Sequence, residues 1–339
     1  MKKLKLILFI ALIGLFGIVY IGCGSTTETI TNVDNEEYEF KNIIASMPSF
    51  VAEAKSTITI DEQTEMLTYL ASDELEGRST GEKGNDMAAE YIADEFEEYG
   101  LHTLEDGTYY QPFSVYFQGE SHSTQNVIGY LPGNDPELKN EVIIVGAHYD
   151  HVGMGYYGTR GGVGKIHNGA DDNASGVVAV LELADAFSSI KGQLNRTFVF
   201  ILFSGEEMGL HGSLYYADNP EFPLEDTVFM LNLDMVGWLK NKDYLYSYNT
   251  RNAEIKALMD ELDENYPFSV KFEYLQRASS DHYAFEKSGI PVSFLHTGLH
   301  NMYHTPKDDV EFIDFEGLKY ITDFSFELLW LIDSMEERP

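Results

Sequence analysis

The sequence predicts an α/β fold, a three-layer αβα sandwich with a mixed, largely parallel central sheet. Two observations lead to this prediction. Short apolar runs rich in β-branched and aromatic residues recur along the chain, and segments with helical apolar spacing lie between them. Strands that are apolar at nearly every position are typical of parallel sheets covered by helices on both faces.

The predicted elements alternate along most of the chain. An amphipathic helix comes first, over 85–100, because apolar residues recur there at helical spacing and Gly100 supplies a stop. Strands follow over 126–131, 141–148, 197–204, 227–234, 244–249 and 291–297. Further helices are predicted over 174–190, 251–266 and 315–335. Ligand sites in such folds lie at the carboxyl ends of strands, so polar residues there are the candidates for chemistry.

The first 22 residues have the pattern of an export signal. Lysines within the first five positions precede an apolar run over 6–21, and small residues surround Cys23. This pattern resembles a bacterial lipoprotein signal over 1–22, after which Cys23 is acylated, although Tyr20 departs from the usual aliphatic residue. The alternative is a plain membrane anchor, for which the run is short compared with a span of about 20 residues. Both interpretations predict export, and the first predicts a lipid-anchored protein of the bacterial cell envelope, periplasmic or at the surface.

Composition narrows the range of partners and chemistry. The net charge is −34, from 22 basic and 56 acidic residues, and it would repel phosphate backbones, which excludes nucleic acid as a partner. Residues 23–50 begin with a polar stretch rich in Thr, Asn and Glu, which predicts a flexible tether and N-terminal extension. Cys23 is the single cysteine, so once it carries lipid no thiol remains for disulfides or for cysteine catalysis.

Polar residues gather where the predicted strands end. The stretches are "GAHYDH" with His148, Asp150 and His151, "NGADDNASG" with Asp171 and Asp172, "FSGEEMGLHGS" with Glu206 and Glu207, "NLDMVG" with Asp234, and "HTGLHNMYHTPKDD" with His296, His300 and His304. Each stretch alone has an ordinary interpretation: a surface histidine, a pair of helix caps, or turn chemistry around a proline. Together they bring nitrogen and oxygen ligands to successive strand ends of one α/β body, a composition that suits zinc.

The order of these motifs resembles the co-catalytic two-zinc exopeptidases of metallopeptidase family twenty-eight, the aminopeptidase Y and bacterial leucyl aminopeptidase type. The likeness extends from about residue 67 to the C-terminus and rests on five ordered motifs. The resemblance implies a single zinc peptidase domain over 51–339 with a zinc exopeptidase-like fold. The segment over 109–140 is too short for the protease-associated insert that some members carry.

The resemblance also implies a ligand set for two Zn²⁺ per chain. His148 and Asp234 would bind one ion, Glu207 and His304 the other, and Asp172 would bridge them. The two ions carry four positive charges, which three carboxylates and one hydroxide between the metals would neutralise. A near-neutral core can hold hydroxide near pH 7, because zinc lowers the pKa of bound water to about 7.

Two further roles follow from the same resemblance. Glu206 would be the general base that takes a proton from the attacking water, and Asp150 would orient His148. Asp171, beside the bridging Asp172, keeps its ordinary interpretation as a helix cap. A cis peptide bond is expected between Asp172 and the residue that follows it.

The leading hypothesis is therefore a zinc-dependent exopeptidase, an aminopeptidase that releases N-terminal residues from peptides. Carboxypeptidases and dipeptidases of the same family are alternatives, although only Arg160 and Arg277 lie near the motifs to grip a substrate carboxylate. A glutaminyl cyclase with a single zinc and a non-catalytic binding module are weaker alternatives, because all five ligand positions and the base are present. Candidate pocket walls, which could also be ordinary core, are Tyr283, Phe294, Leu299, Met302 and Tyr303.

Overall fold

An eight-stranded sheet forms the centre of the protein. The structure is a computed structural model, and it describes residues 47–240 and 242–339. The strands, in chain order, are β1 Tyr110–Phe117, β2 Glu120–Leu131, β3 Val142–His148, β4 Thr197–Phe203, β5 Thr227–Leu233, β6 Tyr244–Tyr248, β7 Ser269–Glu273 and β8 Val292–His296. Their order in the sheet is β1-β2-β4-β3-β5-β8-β6-β7.

The middle of the sheet is parallel and its margins contain antiparallel pairs. Strand β3 pairs in parallel with β4 and β5, and β5 pairs in parallel with β8. These four strands are buried at every position, as expected for strands covered on both faces. The pairs β1–β2, β2–β4 and β6–β8 are antiparallel, while β6–β7 is parallel. The prediction of a mixed, largely parallel sheet is confirmed.

Helices cover both faces of the sheet. They are α1 Ser49–Lys55, α2 Ile60–Leu70, α3 Lys83–Glu98, α4 Gly176–Ser189, α5 His211–Asp218, α6 Ala253–Leu262, α7 His282–Lys287 and α8 Phe315–Asp333. Short 3₁₀ turns lie at Asp73–Leu75, Lys191–Gln193, Leu224–Asp226, Asp263–Asn265 and Val310–Phe312. Helix α4 packs on β3 and against α8 in the larger core, whereas α5 and α7 pack on the opposite face. These layers form the predicted three-layer sandwich.

Two strands of the sheet have no counterpart among the predicted ones. Strand β1 contains Pro112 and alternates between buried and exposed positions, and among the described strands it pairs only with β2. Proline cannot donate to a sheet, so it is tolerated in such an edge strand. Strand β7 is the opposite edge, and most of its residues are exposed or half-buried. Edge strands lack the continuous apolar pattern on which the prediction depended.

The N-terminal predictions fall largely outside the described residues. The predicted signal over 1–22, Cys23 and most of the predicted tether over 23–50 belong to that part of the chain. Helix α1 begins at Ser49, and the ring of Phe50 packs edge-on against Trp330 at 5.5 Å, so the last residues of the tether join the packed body. Among residues 47–240 and 242–339, no helix has the length and apolarity that a membrane crossing requires.

Candidate metal centre

The carboxyl ends of the central parallel strands bring five predicted ligands to one edge of the sheet. His148 ends β3, Glu207 follows β4 by a few residues, Asp234 follows β5 directly, and His304 lies in the loop after β8. Asp172 lies in the turn that leads into α4. Parallel strands end at the same edge, so residues far apart in the sequence meet there.

These side chains form two clusters that share Asp172. In the first, His148 Nε2 lies 3.4 Å from Asp172 Oδ1 and 3.6 Å from Asp234 Oδ2. In the second, His304 Nε2 lies 2.9 Å from Asp172 Oδ2 and 3.1 Å from Glu207 Oε1. Asp172 thus turns one oxygen toward each cluster, which is the arrangement that a bridging ligand requires.

The turn over Ala170–Ser175 holds Asp172 in place from behind. A buried carboxylate, Asp308, accepts the backbone N–H groups of Asp171 at 2.9 Å and of Asp172 at 3.0 Å. The peptide bond between Asp172 and Asn173 is cis, as the resemblance predicted. The hydrogen bonds from this backbone to Asp308 therefore position Asp172, and both oxygens of the Asp172 carboxylate remain free to face the clusters.

Asp171 does not cap the helix that follows it. The Asp171 carboxylate accepts no backbone N–H of this turn or of α4, where Asn173 Oδ1 instead accepts the N–H of Gly176 at 3.0 Å, so the ordinary interpretation of Asp171 is wrong. Its Oδ1 accepts the backbone N–H of Gly237 at 2.7 Å, and its Oδ2 lies 2.9 Å from His300 Nε2. Asp171 is buried and joins the loops that follow β5 and β8, so it fixes the loops around the clusters.

Asp150 contacts its predicted partner mainly through its backbone. The ring nitrogen Nδ1 of His148 lies 3.1 Å from the carbonyl oxygen of Asp150 and 3.7 Å from its carboxylate. The carboxylate instead accepts hydrogen bonds from the Thr80 hydroxyl at 2.8 Å and from the backbone N–H groups of Glu206 and Glu207 at 3.1 and 3.4 Å. Asp150 therefore holds the turn that carries both glutamates.

The two adjacent glutamates have different surroundings. Glu207 belongs to the second cluster, whereas Glu206 belongs to neither cluster and lines the cavity above them within the described part of the chain. Loss of hydration there, together with the charges of Glu207 and Asp234, raises the pKa of Glu206 well above its ordinary value. A carboxyl group with a raised pKa next to the clusters can accept a proton and return it.

The pKa values of the cluster residues show that positive charge is stabilised there. Burial lowers the pKa of His304, but its contacts with the carboxylates of Asp172 and Glu207 outweigh this effect and raise the pKa to about 11. Burial opposes ionisation of Asp172, but hydrogen bonds from His148 and His304 hold its pKa well below the ordinary value. Imidazole nitrogens and carboxylate oxygens that converge in this way form a donor set that fits zinc.

Three residues to which the sequence assigned no role support this edge of the sheet. The Ser280 hydroxyl donates to Asp234 Oδ2 at 2.7 Å and accepts from the side-chain amide of Asn232 at 2.8 Å. The guanidinium of Arg78 is fully buried and donates to the backbone carbonyls of Tyr149 at 2.8 Å and of Gly169 at 2.9 Å. The third residue is His151, whose imidazole joins the second cluster. The stretch "GAHYDH" marked His151 as polar at a strand end, but no spacing rule marked Ser280 or Arg78.

A cavity of about 320 Å³ opens over the clusters. Of the candidate wall residues, Phe294, Leu299 and Tyr303 line it, whereas Tyr283 and Met302 do not. Aromatic and aliphatic side chains therefore line the cavity together with the carboxylates of Asp172, Glu206 and Asp234.

Neither of the two candidate arginines lines this cavity, and no other arginine or lysine among the described residues does so. Arg160 is exposed and stacks over the ring of Tyr303 at 4.5 Å, and Arg277 is exposed as well. The cavity thus presents acidic and apolar groups to a ligand.

Comparison with known proteins agrees with this geometry. The family model described as "Peptidase family M28" matches residues 126–329, which is more than half of the sequence. The chain belongs to peptidase family M28. The resemblance drawn from the five motifs is thereby confirmed, and all five motifs lie within the matched residues.

Relatives of this M28 chain include aminopeptidases. Aminopeptidase YwaD of Bacillus subtilis strain 168 is 29% identical over 230 residues, which cover 65% of this chain and 47% of that protein. The M28 chain therefore spans about half the length of this curated relative.

Solved structures share the fold at low sequence identity. An aminopeptidase from Aneurinibacillus sp. strain AM-1 has a TM-score of 0.67 and 19% identity, covering 83% of this chain and 95% of that one. The Porphyromonas gingivalis glutaminyl cyclase has a TM-score of 0.67 and 18% identity, covering 80% of this chain and 98% of that one. The αβα architecture is common to these proteins, so the fold alone does not choose between their activities.

Proposed function

We propose that this chain is a zinc-dependent exopeptidase that holds two Zn²⁺ and releases N-terminal residues from peptides. The observation that carries the proposal is the pair of ligand clusters that share Asp172, with Glu206 beside them and outside both. Three ligands around one ion leave a coordination position for a water molecule or substrate, as catalytic zinc sites require. The family membership and the aminopeptidase relatives support the same conclusion.

In this proposal, five residues bind the metal ions and Glu206 transfers the proton. Two zinc ions in these clusters would polarise the scissile carbonyl and lower the pKa of the attacking water. His148 and Asp234 on one side, and Glu207 and His304 on the other, would hold them with Asp172 between. Glu206 takes the proton from the attacking water and delivers it to the leaving amine, for which its raised pKa is suited.

Charge in the cavity favours an aminopeptidase over a carboxypeptidase. A carboxypeptidase must bind the carboxylate at the C-terminus of its substrate, commonly with arginine. Arginine and lysine are absent from the lining formed by the described residues, and carboxylates including Glu206 and Asp234 face the cavity instead. The lining formed by the described residues thus offers no arginine or lysine side chain to bind a substrate carboxylate, which favours attack at the N-terminal end.

A panel of fluorogenic peptides with free and blocked N-termini tests this proposal. Wild type should cleave only the free substrates, and Glu206→Gln should lower turnover about 10²- to 10⁴-fold because the variant removes the general base. Zinc content should remain at two per chain in Glu206→Gln. The exposed Glu105 offers a control, and Glu105→Gln should match wild type.

Each contrary result identifies a different error. Cleavage of blocked substrates alone would exclude an aminopeptidase, and full activity in Glu206→Gln would remove Glu206 from the role of base. One zinc per chain with cyclisation of N-terminal glutamine would indicate a glutaminyl cyclase. A chain without zinc or activity would indicate a binding module.

We also propose that the peptidase domain over 51–339 is exported and held to a membrane of the cell envelope through lipid on Cys23. The lysine-rich start, the apolar run over 6–21 and the small residues around Cys23 support this proposal. Wild type should incorporate labelled fatty acid and sediment with membranes, whereas Cys23→Ser should not incorporate the label. Equal labelling of both proteins would disprove acylation at this cysteine.

A further inference from the structure

We propose that His151 is a fourth protein ligand of the metal ion held by Asp172, Glu207 and His304, so that this site has four protein ligands while the His148 site has three. The inference rests on the proposed zinc peptidase and goes beyond the five ligands that the family motifs supply. It predicts that the ion in the second cluster has one more protein ligand than its neighbour.

Distances place His151 among the ligand atoms. Its Nδ1 lies 2.9 Å from Glu207 Oε1 and 3.9 Å from Asp172 Oδ2. His304 Nε2 lies 2.9 and 3.1 Å from the same two oxygens. In a tetrahedral zinc site with bonds of about 2.0 Å, neighbouring ligand atoms are about 3.3 Å apart. The separations in this cluster bracket that value, so the four atoms can surround one ion.

The imidazole of His151 has no other partner in the described residues. The residue is fully buried, and neither of its ring nitrogens has a hydrogen bond of acceptable geometry. Glu207 Oε1 likewise has no hydrogen bond of acceptable geometry, although two imidazole nitrogens lie close to it. A buried polar group without a partner costs about 1–3 kcal/mol, so atoms that approach without hydrogen-bonding are better explained by a shared cation.

The surrounding backbone keeps the ring in place. A Cβ at Gly169 would lie 2.5 Å from His151 Cδ2 and 2.6 Å from its Cγ, so only glycine leaves room for the imidazole. The backbone N–H of His151 donates to the Arg78 carbonyl at 3.3 Å, and its carbonyl accepts from the Tyr157 hydroxyl at 3.2 Å. The backbone that carries the ring is thus held beside the second cluster by contacts that involve no metal.

A fourth ligand makes the two sites unequal. Structural zinc sites have four protein ligands, whereas catalytic sites have three and an open position. The first cluster, with His148, Asp172 and Asp234, has three. With His151, the second cluster has four. We therefore expect the ion in the second cluster to bind more tightly and to exchange more slowly than its neighbour.

The competing explanation is that His151 only orients Glu207 through its Nδ1–H. Loss of an outer-shell partner of this kind weakens metal binding about 10- to 100-fold. Loss of a direct ligand should exceed that range. A thiol in place of His151 separates the explanations more directly, because a sulfur bonded to Co²⁺ gives a charge-transfer band in the near ultraviolet and an unbonded thiol does not.

The experiment uses the full chain, stripped of metal and titrated with Zn²⁺ against a competing chelator, and with Co²⁺ for spectra. His151→Ser should weaken the tighter of two zinc sites by more than about 100-fold and leave the weaker site within a few-fold of wild type. His151→Cys should restore much of the tight binding and show the thiolate band with Co²⁺. Wild type, which carries only Cys23, should lack that band.

A second buried histidine in the same loop serves as the matched control. The His167 imidazole lies within hydrogen-bonding distance of the Thr159 hydroxyl and the carbonyls of Gly161 and Lys165, outside both clusters. His167→Ser should lower the melting temperature without changing either zinc affinity. This control separates loss of a ligand from general loosening of the loop.

The results separate this inference from the function on which it rests. Wild type with two zinc ions, together with a His151→Ser effect below about 100-fold and no thiolate band in His151→Cys, would overturn ligation by His151 and leave the peptidase proposal intact. Wild type without zinc would overturn both. Equal loss of affinity in His151→Ser and His167→Ser would also overturn ligation.

Discussion

Two acid-rich regions of the protein differ in what surrounds their carboxylates. One is the metal centre at the edge of the sheet. The other is a cavity of about 680 Å³ between α2, α3 and α4, lined by Glu62, Glu65, Met66, Tyr69, Tyr91, Glu95, Glu98, Tyr99, Glu182 and Asp185. Imidazoles lie among the carboxylates of the first, and the lining of the second has none. In the described part of the chain, groups of ligand atoms close enough for a metal occur only at the centre.

The pKa values of the acids follow this difference. At the metal centre, hydrogen bonds from His148 and His304 overcome burial and hold the pKa of Asp172 well below its ordinary value. In the helical cavity, burial and then the charge of Glu62 raise the pKa of Glu182 to about 9. An acid paired with imidazoles therefore stays ionised and available to a cation, whereas an unpaired acid takes up a proton. The functional site is therefore distinguished by carboxylates that converge with imidazoles, and not by the presence of many carboxylates alone.

Of the changes that test this comparison, metal removal should have the largest effect on activity and stability. Dialysis of the full chain against a chelator should abolish peptidase activity, and zinc should restore it. Unfolding free energy should fall by about 4 kcal/mol if free zinc had exceeded its Kd by about 1,000-fold, because only the folded protein holds the site. Calorimetry with and without zinc measures the change, and Glu182→Gln should show the same difference as wild type. An identical melting temperature in both conditions would contradict zinc binding by the folded centre.

Ser280→Ala should have an intermediate effect confined to the metal centre. The hydroxyl orients Asp234 through its donated hydrogen bond, so its loss should weaken zinc binding at the His148 cluster about 10- to 100-fold. Chelator competition measures that affinity. Ser325→Ala is a suitable control, because Ser325 is also buried and hydrogen-bonded, at 2.8 Å to the Ile321 carbonyl of its own helix. If both variants weaken zinc binding equally, Ser280 does not act through Asp234.

Glu182→Gln should have the smallest effect, and on stability alone. The folded pKa of about 9 lies above the ordinary value of 4.5, so the unfolded chain loses this proton first as the pH rises. The stability that Glu182 contributes is full below pH 4.5 and is lost as the pH rises toward 9.

Between about pH 5 and pH 8, wild type should therefore lose stability that Glu182→Gln retains. The variant should melt higher than wild type at the upper pH and approach wild type at the lower pH. Thermal melts at both values test this, and activity should be unchanged. A constant difference at both pH values would show that Glu182 does not titrate in this interval.

Much of the fold could be predicted because burial leaves a local pattern. Strands β3, β4, β5 and β8 are buried on both faces, so their sequences are apolar throughout and identify them without further information. Strand β1 escaped prediction because an edge strand tolerates Pro112 and alternating exposure. An edge strand tolerates many residue types, so its sequence lacks a distinctive apolar pattern.

The candidate site was predictable to the extent that it sits at strand ends. His148, Glu207 and Asp234 follow apolar runs, so their convergence follows from parallel strands that end at one edge. The division of labour between Glu206 and Glu207 could be drawn only from the family resemblance. The contacts separate them, because Glu207 Oε1 lies 3.1 Å from His304 Nε2 while Glu206 faces the cavity.

The sequence by itself determined the layered fold, the family and the residues that meet at the sheet edge, because strand patterns and ordered motifs are local properties of the chain. Tertiary structure alone decided that the Asp150 carboxylate holds the glutamate turn and that Ser280 reaches Asp234. It also decided that His151 lies within the second cluster. These contacts join segments far apart in the chain. Packing of the whole domain sets the distance between such side chains to within tenths of an ångström, and no local sequence pattern encodes it.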